Sequence, residues 1–329
     1  MLSLSMKSRA TGAGRPKILL LMLVLILLGT ILAGCATPSG QQGNSTTPAA
    51  VKFPLTFADD MGRKVTLAAQ PQRLISLAPS NTEILFALGL GEKVVGVDDY
   101  SDYPPEAAAV AKIGGFSKPN VEKIVDLKPD LVLASSMHEQ AVKQLEQLGV
   151  PTAVVDPKTV DEVLTSIKWI GRATGAEERA GQLVAEMEER IQRVRALVQE
   201  IPEEKKPLVY YEVYSDPLMS AGPKTLIGQL IELAGGRNIA RTAETDYPKF
   251  SAEAVIKANP EIIIFPRFHG TASLTVEQVK ARSGWEEISA IKNNRVYSID
   301  ANIISRPGPR VVEALEQLTQ MIHPELLSK

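Results

Sequence analysis

Three histidines and one cysteine are nearly all that this 329-residue chain offers for covalent chemistry. His138, His269 and His323 lie far apart, and His138-Glu139 lacks the second histidine that a zinc-protease helix requires. No Gly-x-Ser-x-Gly elbow occurs, and Gly89-Leu90-Gly91 lacks the third glycine of a dinucleotide fingerprint. The histidines are expected on surface loops, although folding could bring His138 and His269 together. Adjacent carboxylates such as Asp98-Asp99 read as solvated turn residues. Nothing here assembles a catalytic or metal centre, and no cofactor is expected. A binding protein fits better than an enzyme.

Side chains suited to holding a ligand follow short apolar runs. Tyr100-Ser101-Asp102-Tyr103 comes after 94–97, and Tyr214-Ser215-Asp216 after 208–213. Phe268-His269 comes after 262–265, and Asn302 and Arg306 after 296–299. Open α/β sheets bind ligands just beyond such strand ends. Two glutamates show a different regularity. Glu122 precedes Pro129 by seven residues and Leu131 by nine, and Glu253 precedes Pro260 and Ile262 by the same intervals. Each stretch reads as a short helix, a Pro-acid turn and a buried strand. Pro71-Gln72-Arg73 before 74–78 likewise matches Lys206-Pro207 before 208–213.

The elements that must position these residues form an α/β chain of two similar Rossmann-like lobes with parallel-rich sheets, joined by one long rigid helix. The helix is expected between Thr174 and Pro202. Thr174-Gly175-Ala176-Glu177 has the form of a capping box. Ala180, Leu183, Val184, Met187, Ile191, Val194, Leu197, Val198 and Ile201 make its apolar stripe. Glu186–Arg190 and Glu189–Arg193 are oriented as i,i+4 pairs. A hairpin at 55–58 and 64–67 opens the first lobe, and further strands are expected at 131–134 and 153–155. Helices at 224–234 and 310–322 belong to the second. The expected domains are 52–173, the linking segment 174–202, and 203–329.

Residues 1–34 read as a signal. Lys7, Arg9, Arg15 and Lys17 precede the apolar run 18–28, and Leu32-Ala33-Gly34-Cys35 follows. That run is short for the roughly 20 residues a bilayer needs. Residues 35–51 are too polar for a core and read as a flexible tether. Without the four basic residues of the signal, the formal charge of −2 becomes −6, which leaves no basic stripe for nucleic acid.

Asp60-Met61-Gly62-Arg63, Arg73-Leu74-Ile75-Ser76-Leu77, Ser80-Asn81-Thr82-Glu83, Lys128-Pro129-Asp130-Leu131-Val132, Glu232-Leu233-Ala234-Gly235-Gly236-Arg237-Asn238 and Arg306-Pro307-Gly308-Pro309-Arg310 together resemble the substrate-binding proteins of ABC importers for iron complexes and vitamin B12. The likeness spans residues 53–325. It implies ligand capture in a cleft between the lobes and delivery to a permease dimer with its ATPase subunits, the chain acting as a monomer. It also implies that Glu122 and Glu253 pair with permease arginines. Residues 100–107 and 217–222 resemble the cobalamin-binding branch most. There Tyr100 would lie against a corrin, and Phe116 and Tyr247 stand in place of tryptophans. Asn302 replaces an aspartate, and Arg306 is kept. Ser135 stands where another tryptophan would be, and Met219 where a phenylalanine would. Tyr214 joins the expected contacts from its place after a strand. A corrinoid is the favoured ligand. Lys249, Arg267 and Arg306 keep a ferric siderophore or haem as the alternative. The N-terminal segment resembles a lipoprotein signal, which implies lipidation of Cys35 and residence on the outer face of the cytoplasmic membrane, or on the periplasmic side of a membrane in a two-membrane cell.

Replacing Cys35 by Ala should leave the precursor without its lipid and release or mislocalise the protein. Membrane fractionation checks this, and a variant that still sedimented with membranes would make residues 18–28 part of a spanning helix.

Overall fold

The computed structural model describes residues 51–267 and 274–326. The signal, Cys35 and the tether up to residue 50 lie outside the described residues, as do Phe268 and His269. Strand β1 (Leu55–Ala58) pairs antiparallel with β2 (Lys64–Leu67). The Asp59 carboxylate closes their turn by accepting from the Met61 and Arg63 amides. The first lobe continues through β3 (Leu74–Ser76), α1 (Pro79–Ala87), β4 (Val94–Val97), β5 (Gly114–Gly115) and β6 (Lys118–Pro119). It ends with α2 (Val121–Asp126), β7 (Leu131–Ala134), α3 (Glu139–Gln147) and β8 (Thr152–Val154). Helices α4 (Val160–Thr174) and α5 (Glu177–Val198) follow. The second lobe opens with β9 (Leu208–Tyr211), the hairpin β10 (Tyr214–Ser215) and β11 (Leu218–Met219), α6 (Leu226–Leu233), β12 (Arg237–Asn238) and α7 (Ala252–Ala258). It closes with β13 (Ile262–Arg267), α8 (Val276–Lys280), α9 (Ser289–Lys292), β14 (Val296–Asp300), α10 (Ala301–Ile304) and α11 (Val311–Ile322).

The two main sheets have the same topology. The first runs β4-β3-β7-β8 and the second β12-β9-β13-β14, every pair parallel. In each, the strand that comes first in sequence lies second in space. The Pro-acid turns share their backbone conformation and two hydrogen bonds. Lys128 (φ 47°) and Asn259 (φ 49°) each hold a left-handed conformation just before the proline. Asp130 then accepts from the Arg73 amide at 3.0 Å and donates its own N–H to the Arg73 carbonyl at 2.8 Å. Glu261 does the same to Leu208, at 3.0 and 2.9 Å. The acidic residue thus ties the entry of the central strand to the turn that feeds its neighbour. This sets the repeat register at Leu74↔Val209, one residue beyond the match of the apolar runs.

Alternation along the strands divides the core. Leu131, Leu133, Val209, Tyr211, Ile262 and Ile264 point into one apolar core shared by both lobes. Ile75 and Val132 face a separate cluster under α2 and α3, while Tyr210, Ile263 and Phe265 face another around Trp285. Both faces of each sheet are covered, which is why the strands read as unbroken apolar runs.

The long helix differs from expectation at its start. Thr174 does not cap it; it is the last residue of α4, and its hydroxyl donates to the Ile170 carbonyl at 2.7 Å. Gly175 (φ +74°) ends α4 in the left-handed conformation that glycine adopts without strain. The N-cap of α5 is Ala176, with no side-chain bond. Helix α4 folds back on α5 so closely that a Cβ at Gly171 would lie 2.3 Å from that of Ala180. At 22 residues α5 spans about 33 Å. Its buried stripe runs from Ala180 to Val198, while Leu197 stays exposed. Glu189 and Arg193 pair at 2.7 Å as expected. Arg190 ignores Glu186 and grips Glu316 of α11 through two bonds, 2.9 and 2.6 Å. Glu186 takes Arg179 instead, at 3.3 Å.

A further polar contact joins the two lobes directly. Glu83 of α1, 2% exposed, accepts from Arg306 at 3.0 Å and from Arg310 at 2.9 and 2.6 Å. Removing one member of such a buried cluster strands charges of the other sign. Glu83→Ala should therefore lower the unfolding free energy by about 3 kcal/mol in urea denaturation. A loss below about 1 kcal/mol would reduce the cluster to a surface-type pair.

Candidate ligand-binding site

A cleft of about 780 Å³ opens between the lobes. Its first wall comes from loops beyond β4, β7 and β8 and from the β5–β6 hairpin. The second comes from the start of α6, the Asp246-Tyr247 segment and the loop beyond β14. The segments beyond β4, β7, β8 and β14 leave the carboxyl ends of parallel strands, where the chain must leave the sheet and backbone groups become available.

Tyr100 owes its place to Asp98. That carboxylate is wholly buried, not solvated as its turn-like sequence suggests, because the loop folds over it. It accepts from the Tyr100 amide at 3.0 Å and from the Ser101 hydroxyl, which also meets Thr82 Oγ1 at 2.7 Å. Burial pushes the Asp98 carboxyl up, and the Ser101 and Tyr100 bonds oppose that shift. Tyr100 itself projects into the cleft at 63% exposure. Met137, at 67%, projects from the turn after β7. The neighbouring His138 is buried, contrary to the surface position expected of it. His323 is also buried, its Nε2 3.0 Å from the Gly235 carbonyl oxygen in the second lobe.

On the second wall, Thr225 caps α6 by accepting from the Gly228 amide at 3.0 Å. Asp300 caps α10 by accepting from the Asn302 amide at 2.8 Å, which turns Asn302 toward the opening. Tyr247 is about half exposed. Burial and the Asp246 carboxylate push its phenol up, with Lys158 across the cleft opposing them.

The fold thus gathers Tyr100, Phe116, Tyr247, Asn302 and Arg306 at one opening. Tyr214 and Met219 do not line it; they face each other across the β10–β11 hairpin. Lys249 and Arg267 are also absent from the lining. Arg306 lines it with its η nitrogens engaged, by Glu83, by Asp102 at 2.8 Å and by the Tyr100 carbonyl at 3.1 Å. Four charged lining residues went unread in the sequence: Asp156, Lys158, Lys224 and Asp246. Asp156 and Lys158 directly follow a strand, a signal that could have found them. Lys224 and Asp246 sit in irregular chain with no such signal.

Glu122 and Glu253 do not line this opening. Each is the second residue of its helix and exposed. Asn120 and Ser251 cap those helices at 3.0 and 3.1 Å. Bonds from its own amide and from Ser251 hold the Glu253 carboxyl below its usual value. Among the described residues no cluster of His, Cys, Asp and Glu could hold a metal ion, and no helix is long and apolar enough to cross a membrane.

Residues 74–303 match the family model described as periplasmic binding protein. An ABC transporter substrate-binding lipoprotein of Bacillus subtilis is 38% identical, covering 92% of this chain and 96% of its own. A cobalamin-binding protein of Halobacterium salinarum is 31% identical, covering 92% and 84%. The crystal structure of a possible iron-binding, periplasmic solute-binding protein of Staphylococcus epidermidis is 35% identical, with a TM-score of 0.68 over 78% of this chain and all of that one. The chain therefore belongs to the periplasmic binding protein family, in the vitamin B12 and iron-complex branch of ABC-importer substrate-binding proteins, which are not enzymes.

Proposed function

We propose that the protein captures a corrinoid in the interlobe cleft and delivers it to an ABC permease, held at the membrane by a lipid on Cys35. The observation that carries this reading is the balance of the lining. Tyr100, Phe116, Met137 and Tyr247 supply flat or deformable apolar surface. Lys158 and Lys224 are matched by Asp156 and Asp246, and the Arg306 charge is met by Glu83 and Asp102. Such a cleft suits a large, planar ligand of no net charge, rimmed with amides that bond to charges of either sign. A polyanionic ferric siderophore would meet two aspartates and find the arginine engaged. The 31% identity to the Halobacterium cobalamin-binding protein adds support.

Haem or a ferric complex is the second reading, favoured by the Tyr247 phenol and Met137 thioether, both of a type that ligates haem iron. Against it, burial and Asp246 disfavour the phenolate that ferric iron takes. Native mass spectrometry with cyanocobalamin, haemin and a ferric siderophore panel separates the two. Cyanocobalamin should be retained, and Tyr100→Ala and Tyr247→Ala should each weaken it about tenfold, or ~1.4 kcal/mol. Retention of haemin or a siderophore instead would establish the second reading.

For permease docking, Glu122 and Glu253 present one carboxylate from each lobe, at equivalent places in the repeat. Carboxylate–arginine pairs are bidentate and set orientation as well as attraction. Glu122→Ala and Glu253→Ala should each reduce uptake while leaving ligand affinity nearly unchanged, and the double variant should reduce it most. Uptake by the double variant at the wild-type rate would leave these glutamates with helix-terminus stabilisation alone, worth roughly 0.3–1 kcal/mol.

A further inference from the structure

His138 ties together two parts of the cleft wall that come from separate stretches of chain. The ring is 2% exposed, packed between the β5–β6 hairpin and the start of α3. The Ser135 backbone N–H donates to Nδ1 at 2.9 Å, with the Ser135 hydroxyl 3.2 Å from the same nitrogen. Nε2 lies 2.6 Å from the Phe116 carbonyl oxygen. An amide N–H only donates and a carbonyl only accepts, so the proton sits on Nε2 and Nδ1 keeps its lone pair. The ring also meets Phe116 edge-on, with centroids 5.0 Å apart. Phe116, Ser135 and Met137 all line the cleft.

We propose that His138 is a positioning residue for the first-lobe wall, a neutral clamp whose protonation frees the turn at 135–137 from the Phe116 hairpin and so weakens ligand capture in acid. The proposal rests on the cleft being the ligand site. A proton on Nδ1 would oppose the Ser135 N–H, donor against donor, at a distance suited only to a hydrogen bond. Several charged groups lie on the surrounding elements. Asp156 is bonded by the Ser136 hydroxyl and by Lys158 at 2.7 Å, Glu139 pairs with Lys143 at 2.6 Å on α3, and Lys118 is exposed on the hairpin. Asp156 acts on the ring and favours its charged form, as does the Phe116 carbonyl, but burial outweighs both and holds the imidazole below 6.5. A histidine depressed in this way stays neutral in the folded protein as pH falls through 6.5, and the clamp is lost only when pH falls through the lower, folded-state value.

Nitrogen-15 spectra of the histidine-labelled full chain, assigned with His138→Gln, read the tautomer directly. The expected result is the Nε2–H form with a pKa below 6.5, and on protonation faster amide exchange around 116 and 135–137. Cyanocobalamin affinity of the wild type should then fall by up to about tenfold per pH unit, the slope of one proton. His138→Gln has no charge to gain, and should bind more weakly at neutral pH and stay flat over the same range. An Nδ1–H tautomer, or affinities of both proteins falling in parallel, would overturn the assignment. If neither protein bound cyanocobalamin at neutral pH, the corrinoid reading would fail instead, and tautomer and exchange would still decide the clamp.

Discussion

A single buried carboxylate, Glu83, is held by two arginines from the opposite lobe, and much of the cleft follows from that contact. The arrangement fixes the angle between α1 and the loop beyond β14, because three charged bonds of 2.6 to 3.0 Å leave little freedom. It also reaches the ligand side. Arg306 continues to Asp102 and the Tyr100 carbonyl, and Arg310 lies 4.0 Å over the Tyr103 ring. The loop that presents Tyr100 is thus bonded to the other lobe as well as to Asp98. The same cluster engages the guanidinium of Arg306 at the opening, on which the proposed preference for a ligand without net charge rests.

Two further features hold the lobes at that angle. The inner faces of both sheets share one apolar core with α4 and α5, so hinge opening would expose packed side chains to water. Arg190 grips Glu316 and fastens the long helix to the second lobe. Motion between the lobes must therefore break charged bonds and core contacts together. The expected mode is a nearly preformed cleft with local loop adjustments, which separates this fold from binding proteins hinged on extended loops.

The duplication was legible because the Pro-acid turn does a physical job in both lobes. Asp130 and Glu261 each clamp the entry of a central strand, so proline and acid must recur at the same interval. Strands were legible for a related reason: burial on both faces enforces continuous apolar runs. The Thr174 cap was misread because Thr-Gly serves equally as the end of one helix and the start of the next, and only the packing of α4 on α5 decides. Tyr100, Phe116, Tyr247, Asn302 and Arg306 could be named from their places after strands or from family likeness. Their electrostatics could not be read, since Glu83 lies more than two hundred residues before its arginines. The buried states of Asp98 and His138 were hidden likewise, because Asp98 is covered by the fold of its own loop and His138 by the hairpin that carries Phe116.

The claim that the lobes are locked before ligand arrives is tested most directly by a distance between them. Nitroxide labels at Glu122→Cys and Glu253→Cys, one exposed position on each lobe, with Cys35 replaced by Ala so that no native thiol competes, report the separation of the lobes by pulsed electron resonance. The account predicts one narrow distance in the ligand-free protein, unchanged within about 2 Å on saturation with cyanocobalamin. A broad or two-peaked distribution in the ligand-free protein, collapsing to a shorter distance with ligand, would contradict it.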